Sequence, residues 1–509
     1  MLGPIHNDHA EKSRETIQKT PSRFQWICGN GNAIMGIKHY WQSQFRMSKI
    51  KRQYAFNALH RSKIIFYTKA NLIHNTAEFF WLCENAHLTV SLKGMTMGDG
   101  MWVGILDSML RHLIRDGNLR LTFSDGSVRH YGNGGEPSVA AGLHDRDLPR
   151  KIILSPEIAV GEAYMDGRMT IEDDDLYSFL SLAINNISKH GHPWFRKPLL
   201  TLRHVGRRLQ QFNPVGKSRT NVAHHYDLSG DLYELFLDAD RQYSCAYFAN
   251  PDMTLEEAQE AKKRHIANKL LLKPGMKVLD IGSGWGGLGL TLAKDYGAEV
   301  TGVTLSREQH ALSNRRASEA GLSGRVRFEL TDYRNIIGKF DRIVSVGMFE
   351  HVGVPHYEEY FRTVHNLLVD NGVALVHTIG RCAPPGTTSP WITRYIFPGG
   401  YVPAMSEVAR AIERQKLFTS DVEVWRLHYA ETLKNWHERF MANIDVAREL
   451  YDERFCRMWR YYLIACELTF RFDRHVVFQF QLSPRNDAVP LTRNYLYQSA
   501  DLPDADAPI

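Results

Sequence analysis

From residue 220 onward the chain alternates short apolar runs with helical stretches, and this rhythm constrains its fold most strongly. Five runs have the length and composition of buried strands: 277–282, 298–305, 326–332, 340–347 and 372–380. Helical stretches separate them, as crossovers between parallel strands require. Two later runs, near 421–428 and 475–482, lack that rhythm and predict an antiparallel edge hairpin. We therefore predict an α/β fold with a doubly wound, mostly parallel sheet of about seven strands.

The turn after the first run reads VLDIGSGWGGLG and carries Gly282, Gly284 and Gly287 in the pattern G-x-G-x-x-G. This pattern favours a strand-to-helix turn at which backbone approaches a ligand, although a tight packing turn gives the same spacing. A dinucleotide site would also need an acid at the end of the second strand to bind ribose. That strand ends near Thr304 without an acid, so the sequence does not favour a dinucleotide.

Two acids stand elsewhere around this turn. Asp280 precedes the glycines, and Asp332 ends the third strand run. This arrangement resembles the Rossmann-like methyltransferases that bind S-adenosylmethionine. The resemblance implies that the glycine turn meets the amino-acid half of the cofactor and that Asp332 meets N6 of adenine. The acid that usually follows the second strand in this family is missing, and the resemblance leaves Gln309, in TLSREQ, as the expected substitute at the ribose.

A denser set of motifs resembles one family, the cyclopropane fatty acid and mycolic acid cyclopropane synthases. The matching stretches follow the family's order from about 221 to 466: NVAHHYDLSGDLYELFLD, YSCAYF, VLDIGSGWGG, GVTLSREQ, DRIVSVGMFEHVG, HTIG, WITRYIFPGG, HYAETLKNWHERF and YYLIAC. Ser283 departs from the many relatives that carry Cys there. The resemblance implies a methyltransferase catalytic domain over residues 220–509.

The implied reaction adds a methylene, derived from the methyl group of S-adenosylmethionine, across a cis double bond of a phospholipid acyl chain. A bound bicarbonate serves as the base that removes a proton from the new methyl group so that the ring closes. Two other functions stay open. One is a related methyltransferase that leaves a methyl-branched lipid or an N-methylated small molecule; the other is a non-catalytic lipid-binding protein on the same fold.

The resemblance also implies which residues bind the bicarbonate and the cofactor. The bicarbonate ligands are the side chains of Glu350, His377 and Tyr429 and the backbone amides of Cys245 and Ile379. Cys466, in YYLIAC, is a further catalytic candidate. The cofactor residues are Tyr243, Ser244, Asp280, Gly282, Gly284, Thr304, Gln309 and Asp332.

Glu350 and His351 are adjacent in MFEHVG, and the resemblance gives them different roles. We expect Glu350 to accept a hydrogen bond from the bicarbonate hydroxyl or to orient His377, because an ionised carboxylate can only accept. His351 is predicted to be a structural neighbour. Tyr247, Phe248, Tyr395 and Phe397 are candidate aromatic faces for a carbocation, with ordinary core packing as the alternative. The His, Cys and Asp spacing predicts no metal site.

The chain before residue 220 divides into three parts. Residues 96–193 predict a small α+β domain that loosely resembles a lipid-binding one, with a helix near 104–117 and a hairpin over 118–132 that turns at Asp125-Gly126. Residues 194–219 contain seven Lys/Arg and no acid, which suits either a membrane-surface helix or a solvated linker. Residues 1–95 match no known pattern, and we expect a poorly ordered basic extension.

Charge and cysteine usage suggest the partner and the compartment. Residues 1–95 hold thirteen basic and five acidic residues, which leaves 49 basic and 51 acidic residues in the remainder. A basic leading segment favours an anionic partner, and the resemblance favours an unsaturated phospholipid over nucleic acid. The six cysteines form no CxxC pair, and neither a membrane span nor a secretory signal is recognisable. We expect a cytoplasmic protein, peripheral to the inner face of the membrane, and leave open whether it is a homodimer.

Overall fold

The computed structural model describes residues 99–191 and 230–497. The predicted basic extension (1–95) and the predicted basic linker (194–219) lie outside the described residues. The strands are β1 (Asn118–Thr122), β2 (Val128–Gly132), β3 (Ser138–Leu143), β4 (Met169–Ile171), β5 (Lys277–Ile281), β6 (Glu299–Thr304), β7 (Val326–Leu330), β8 (Phe340–Val346), β9 (Leu368–Arg381), β10 (Phe418–Trp425) and β11 (His475–Ser483).

The α-helices of the described ranges alternate with these strands in the C-terminal part. They are α1 (Asp99–Leu113), α2 (Leu148–Leu154), α3 (Pro156–Met165), α4 (Leu176–His190), α5 (Gly230–Glu234), α6 (Leu255–Lys269), α7 (Gly287–Tyr296), α8 (Arg307–Glu319), α9 (Tyr357–Leu367), α10 (Pro390–Tyr395), α11 (Met405–Arg414), α12 (His428–Ala442), α13 (Ile444–Leu450) and α14 (Glu453–Phe472). None of them combines the length and the apolar character that crossing a bilayer requires.

The larger sheet has seven strands in the order β10-β11-β9-β8-β5-β6-β7. Strands β5 to β9 are mutually parallel, and β11 runs antiparallel to both β9 and β10. This confirms the predicted α/β fold with a mostly parallel, Rossmann-like sheet. The central strand β5 is buried on both faces apart from its first residue, because helices cover both sides of a doubly wound sheet.

The last two strands correct one detail of the prediction. β10 and β11 do pair antiparallel at the sheet edge, but they are not a hairpin, because helices α12 to α14 lie between them along the chain. A short loop is one way to join antiparallel neighbours, and the local pattern does not reveal a longer one. The long connection is what brings α12 and α14 to the ligand-binding end of the sheet.

A four-stranded sheet of order β2-β1-β3-β4 forms in residues 99–191. The predicted hairpin is confirmed: β1 and β2 pair antiparallel with Thr122 opposite Val128, and Gly126 in the turn has φ +82°, a conformation that favours glycine. The predicted helix begins earlier, at Asp99, and ends at Leu113 rather than near Gly117. One apolar cluster joins this sheet and its helices to α12 and α14.

The strand order also determines where a ligand can bind. The chain proceeds from β5 outward through β6 and β7, then returns to the other side of β5 as β8 and continues to β9. The order therefore reverses beside β5, and in open α/β sheets ligands bind at the carboxyl ends of the strands next to such a reversal. The ends of β5, β6, β8 and β9 carry most of the residues that the sequence singled out.

Candidate active site

Two adjoining cavities lie at the carboxyl ends of these strands. The larger cavity is lined by the residues that follow β5, β6, β7 and β8. The smaller cavity is lined by residues of β9, by the turn after β8 and by the segment 388–402, and its lining is mostly apolar. Four residues line both cavities: Tyr243, Ser244, Gly347 and His351.

All eight residues predicted to bind the cofactor line the larger cavity. Gly282 and Gly284 begin the turn after β5 with φ of +82° and +54°, backbone conformations that L side chains rarely adopt. A Cβ at Gly282 would stand 2.8 Å from the Cβ of Met348. The glycines therefore give the strand-to-helix turn that the pattern predicted and let Met348 pack close to it, while the predicted approach of this backbone to a ligand stays a prediction.

Asp280 places a buried carboxyl group on the lining of this cavity. The residue is 2% exposed, and its Oδ2 has no hydrogen-bond partner among the described residues. Burial raises the pKa of this carboxyl group to about 7, because a charged form loses its hydration in an apolar interior. The orphaned oxygen is a ready acceptor for a donor group on a ligand.

Thr304, Gln309 and Asp332 on the lining of the larger cavity are held by side-chain hydrogen bonds. The Thr304 hydroxyl donates to Gln309 Oε1 at 2.8 Å, which holds Gln309 beside the end of β6. Asp332 accepts two hydrogen bonds from its neighbour Arg334, from Nε and from Nη2, both at 2.8 Å. The contact predicted between Asp332 and adenine N6 therefore has to share a carboxylate that already pairs with Arg334, and it stays a prediction.

All five predicted bicarbonate ligands line the smaller cavity. Glu350 lies in a single 3-10 turn, Phe349–His351, directly after β8. Its Oε1 accepts the backbone N–H of Ile379 at 2.6 Å, while Oε2 is buried without a partner within the described ranges. Burial raises the pKa of the Glu350 carboxyl group to about 7. The Ile379 amide, predicted to bind the anion, thus donates to Glu350 in this structure.

His377 is held by a neighbour on the adjacent strand. It lies opposite Gln479 in the β9–β11 register, and Gln479 Nε2 donates to His377 Nδ1 at 3.0 Å. Burial holds the pKa of His377 well below its usual value, so the ring is neutral. With Nδ1 accepting, the ring proton resides on Nε2. Trp425 packs edge-on against the imidazole at 5.1 Å.

Tyr429 and Cys245 complete the wall of the smaller cavity. Tyr429 lies in the first turn of α12, and its ring packs against Phe470 and Trp436 at 4.9 Å and 5.8 Å. The Cys245 thiol donates to the carbonyl of Ala246, and burial raises the thiol pKa. Cys245 is therefore a thiol rather than a thiolate, which suits a role through its backbone and not as a nucleophile.

Four other candidates differ in whether they line a cavity. Cys466 is not among the residues that line either cavity, and burial raises its thiol pKa to about 12. His351, predicted to be a structural neighbour, lines both cavities, and burial lowers its pKa to about 4. Phe397 lines the smaller cavity, whereas Tyr247 stacks on His265 at 4.6 Å.

Sequence reasoning missed two polar residues beside the predicted ones. Gln479, the partner of His377, is a polar residue inside an apolar strand. Gln481 lies two residues further on the same strand, and this pair of glutamines among apolar residues is the weak sequence signal of a buried polar contact. Lys262 of α6 lines the larger cavity and is fully buried. It is four residues from Ala258 and from Ile266, both also fully buried, so helical periodicity placed it on the inward face.

Comparison with known proteins gives a consistent result. Residues 215–480 match the family model described as mycolic acid cyclopropane synthetase, and residues 105–190 match a domain family of unknown function. The chain is 41% identical over 341 residues to cyclopropane-fatty-acyl-phospholipid synthase of Escherichia coli (strain K12). The aligned region covers 67% of this chain and 86% of that protein. The chain is also 34% identical to tuberculostearic acid methyltransferase UfaA1 of Mycobacterium tuberculosis (strain ATCC 25618 / H37Rv), over 74% of this chain and 90% of that protein.

Among solved structures, mycolic acid cyclopropane synthase CmaA1 complexed with SAH and CTAB superposes with a TM-score of 0.50. It is 35% identical in sequence, and the match covers 53% of this chain and 99% of that chain.

Proposed function

Because the chain belongs to the mycolic acid cyclopropane synthetase family and is an S-adenosylmethionine-dependent methyltransferase, we propose that it is a cyclopropane synthase acting on phospholipid. It adds a methylene across a cis double bond of an acyl chain. One observation carries the proposal: the five residues of the implied bicarbonate site line one cavity, which adjoins the cavity lined by all eight cofactor residues.

The wall between the two cavities is suited to hold two reactants in line. An alkene is a weak nucleophile, so its carbon atoms have to be held close to the methyl donor in a dry site. The shared wall residue Tyr243 stacks on Trp436 at 5.1 Å, and its hydroxyl is 2.9 Å from that of Tyr462. A wall fixed by these two contacts supports a defined distance between cofactor and acyl chain.

S-adenosylmethionine, when bound in the larger cavity, supplies an electrophilic methyl group. Methylation of the double bond leaves a carbocation on the acyl chain, which water would trap. The mostly apolar lining of the smaller cavity excludes water from that centre. Phe397, on the same wall, offers an aromatic face to the positive charge.

The donors of the smaller cavity fit a small anion. The ring proton of His377, the hydroxyl of Tyr429 and the backbone amide of Cys245 would hold it, and the unpartnered Oε2 of Glu350 would accept from an anion that carries a hydroxyl. Bicarbonate has this composition, and when bound it supplies a base for the last proton of the ring closure. Burial raises the pKa of the Glu350 carboxyl group to about 7, which lowers its negative charge near neutral pH and with it the repulsion of the anion.

One relative supports a second candidate product. UfaA1 is named a tuberculostearic acid methyltransferase and covers more of this chain than the synthase from E. coli does. The alternative is therefore a branched lipid: when the carbocation loses a proton to the base without ring closure, the product is a methyl- or methylene-branched alkene. The retained set of anion-binding residues favours ring closure.

We also propose peripheral association with the membrane surface in which the phospholipid resides.

Product analysis tests the proposal directly. The protein is incubated with vesicles of cis-unsaturated phospholipid and methyl-labelled S-adenosylmethionine, and the lipids are hydrogenated and analysed by mass spectrometry. We expect a mass gain of one CH₂ that survives mild hydrogenation as a ring. A gain that hydrogenation shows to be a methyl branch supports the second candidate, and no gain contradicts both.

Glu350→Gln tests the anion-binding role within this function. The amide keeps the size of the side chain and can still accept the Ile379 amide, but it loses the carboxyl group that meets the anion. We expect turnover to fall about 100-fold or more, with an unchanged affinity for S-adenosylhomocysteine in calorimetry. Full turnover by this variant would show that Glu350 does not act at the anion site.

A further inference from the structure

Lys262 is a fully buried ammonium on the wall of the larger cavity. It projects from α6, is 0% exposed, and lies beside residues of the wall shared with the smaller cavity. Its Nζ donates to Gln242 Oε1 at 2.6 Å and to Ser244 Oγ at 2.9 Å. An ammonium has three protons to donate. These two bonds account for two, and both acceptors are neutral.

The other cations of this cavity already have acidic partners. Arg241 pairs with Glu234, and Arg334 pairs with Asp332. Within the described ranges, Lys262 has no carboxylate at ion-pair distance. A buried cation without a paired anion is costly, and a cavity wall is where a ligand can provide that anion.

Two acids whose charge acts on Lys262 are engaged in other contacts. Asp240 pairs with Lys263 at 2.8 Å and with Arg316. Asp238 accepts the backbone N–H groups of Asp240 and Gln242. Burial lowers the pKa of Lys262 to about 8, and the field of Asp238 opposes this shift. Lys262 thus keeps its proton at neutral pH, and among the described residues no acid lies at ion-pair distance from it.

Asp280 supplies a buried acceptor on the same cavity. Its buried Oδ2 has no partner in the part of the chain that the structure describes, and it lies within the field of Lys262. A cavity with one unpaired buried acceptor and one buried cation is complementary to a zwitterion. The methionine half of S-adenosylmethionine ends in such a group, an α-ammonium beside an α-carboxylate.

We propose that Lys262 binds the α-carboxylate of the cofactor, so that the larger cavity prefers adenosine sulfonium or thioether ligands that carry this carboxylate over analogues that lack it. This inference rests on the proposed assignment of the larger cavity to S-adenosylmethionine. It assigns the charge recognition to a helix residue outside the glycine turn and the strand ends.

The test measures binding of two ligands that differ only in the carboxylate. They are S-adenosylhomocysteine and its decarboxylated analogue, which keeps the amine, and both are titrated by calorimetry into the wild-type chain and into Lys262→Met. A charged hydrogen bond of this kind corresponds to about 10- to 100-fold in affinity. We expect the wild-type chain to prefer S-adenosylhomocysteine by that factor and Lys262→Met to bind both ligands within about threefold.

Lys263→Met is the matched control. Lys263 is the next residue of α6 and is also buried, but it pairs with Asp240 and Glu260 and is not among the residues lining the cavity. This variant should keep the wild-type preference. Lys262→Arg retains the charge and should keep part of it. If Lys262→Met does not fold, the wild-type preference and the arginine variant still decide the question.

Several outcomes separate this inference from the proposed function. Equal binding of both ligands by the wild-type chain, or an unchanged preference in Lys262→Met, overturns the role of Lys262. Preferential binding of S-adenosylhomocysteine without any modified lipid contradicts the proposed function and leaves the role of Lys262 intact. Failure of the wild-type chain to bind either ligand overturns both.

Discussion

At the scale of single residues, the smaller cavity is defined by buried polar groups whose partners are incomplete. One carboxyl oxygen of Glu350 accepts a hydrogen bond from the Ile379 amide, and the other has no partner among the described residues. His377 has its Nδ1 fixed by Gln479. Unsatisfied buried polar atoms are rare in folded proteins, and they mark places where a ligand completes the hydrogen bonding. The buried polar groups that still lack a hydrogen-bond partner therefore indicate where a ligand binds in the smaller cavity.

The raised pKa of Glu350 predicts a pH dependence of stability. Its folded value of about 7 lies above the ordinary 4.5, so the folded chain binds this proton more tightly than the unfolded chain does. Its contribution is fully present below about pH 4.5 and is lost as the pH rises to about 7. Relative to wild type, Glu350→Gln should gain on the order of 1–3 kcal/mol in free energy of unfolding between pH 5 and pH 8.

Denaturant unfolding of both proteins at several pH values checks this prediction. The comparison with Glu350→Gln cancels the contributions of other titrating groups, among them Asp280, whose pKa is also raised to about 7. A difference in stability that does not change with pH would mean that the Glu350 carboxyl group titrates normally in the folded chain.

Gln479 is a positioning residue for His377. Gln479→Leu removes the donor to Nδ1, so the ring no longer has a fixed tautomer or orientation. We expect kcat to fall about tenfold or more, with KM for S-adenosylmethionine unchanged, in steady-state assays. Gln481→Leu is the control: Gln481 is equally buried on the same strand, but it bonds the carbonyl of Lys269. Comparable kcat losses in both variants would indicate a structural effect of the strand.

At the scale of elements, the turn after β5 shows how a backbone conformation becomes a binding site. Gly282→Ala would place a methyl group 2.8 Å from the Cβ of Met348, at a residue whose φ is +82°. We expect a loss of about 1–3 kcal/mol in free energy of unfolding together with weaker binding of S-adenosylhomocysteine, measured by denaturation and calorimetry.

Gly275→Ala separates the two causes. Gly275 has a similar φ of +80°, but a Cβ there would meet nothing within 4 Å. This variant should be destabilised by its backbone conformation while it binds the ligand normally. If Gly282→Ala binds as tightly as Gly275→Ala does, the close approach of Met348 is not what shapes the cavity.

At the scale of the whole molecule, residues 99–191 touch the wall of the smaller cavity. Gly161 of α3 packs against Trp391 of α10, and Glu162 accepts hydrogen bonds from Arg394 and Tyr395 at 2.9 Å and 2.7 Å. Ile392, in the same helix α10, lines the smaller cavity. The position of that helix therefore depends on residues more than 200 positions away in sequence.

Gly161→Ala tests this dependence. A Cβ there would stand 2.4 Å from Trp391 Nε1, so α10 or α3 has to shift. We expect turnover to fall severalfold with an unchanged affinity for S-adenosylhomocysteine, and a cost of about 1–3 kcal/mol in stability. Gly104→Ala, in helix α1 with nothing within 4 Å of its Cβ, should be neutral or stabilising. Unchanged turnover in Gly161→Ala would show that α10 does not transmit the shift to the cavity.

Much of the architecture could be predicted from the sequence. The strand rhythm, the glycine turn and the small hairpin are local patterns, since hydrophobic period and turn residues act over a few neighbours. The residues of each cavity were predicted from the family resemblance, and the meeting of the carboxyl ends of adjacent parallel strands accounts only for those that follow β5, β6, β7, β8 and β9. The long connection between β10 and β11 could not be predicted, because antiparallel pairing does not specify the length of the chain that joins two strands.

The sequence by itself determined which residue types reach the two cavities. Only the tertiary structure decided which atom each of them contacts. The β9–β11 register places Gln479 opposite His377. The turn after β8 positions Glu350 so that it accepts the backbone N–H of Ile379. Helix α6 places Lys262 on the lining of the larger cavity. A hydrogen bond forms or fails over a few tenths of an ångström, and distances of that size depend on how the elements pack.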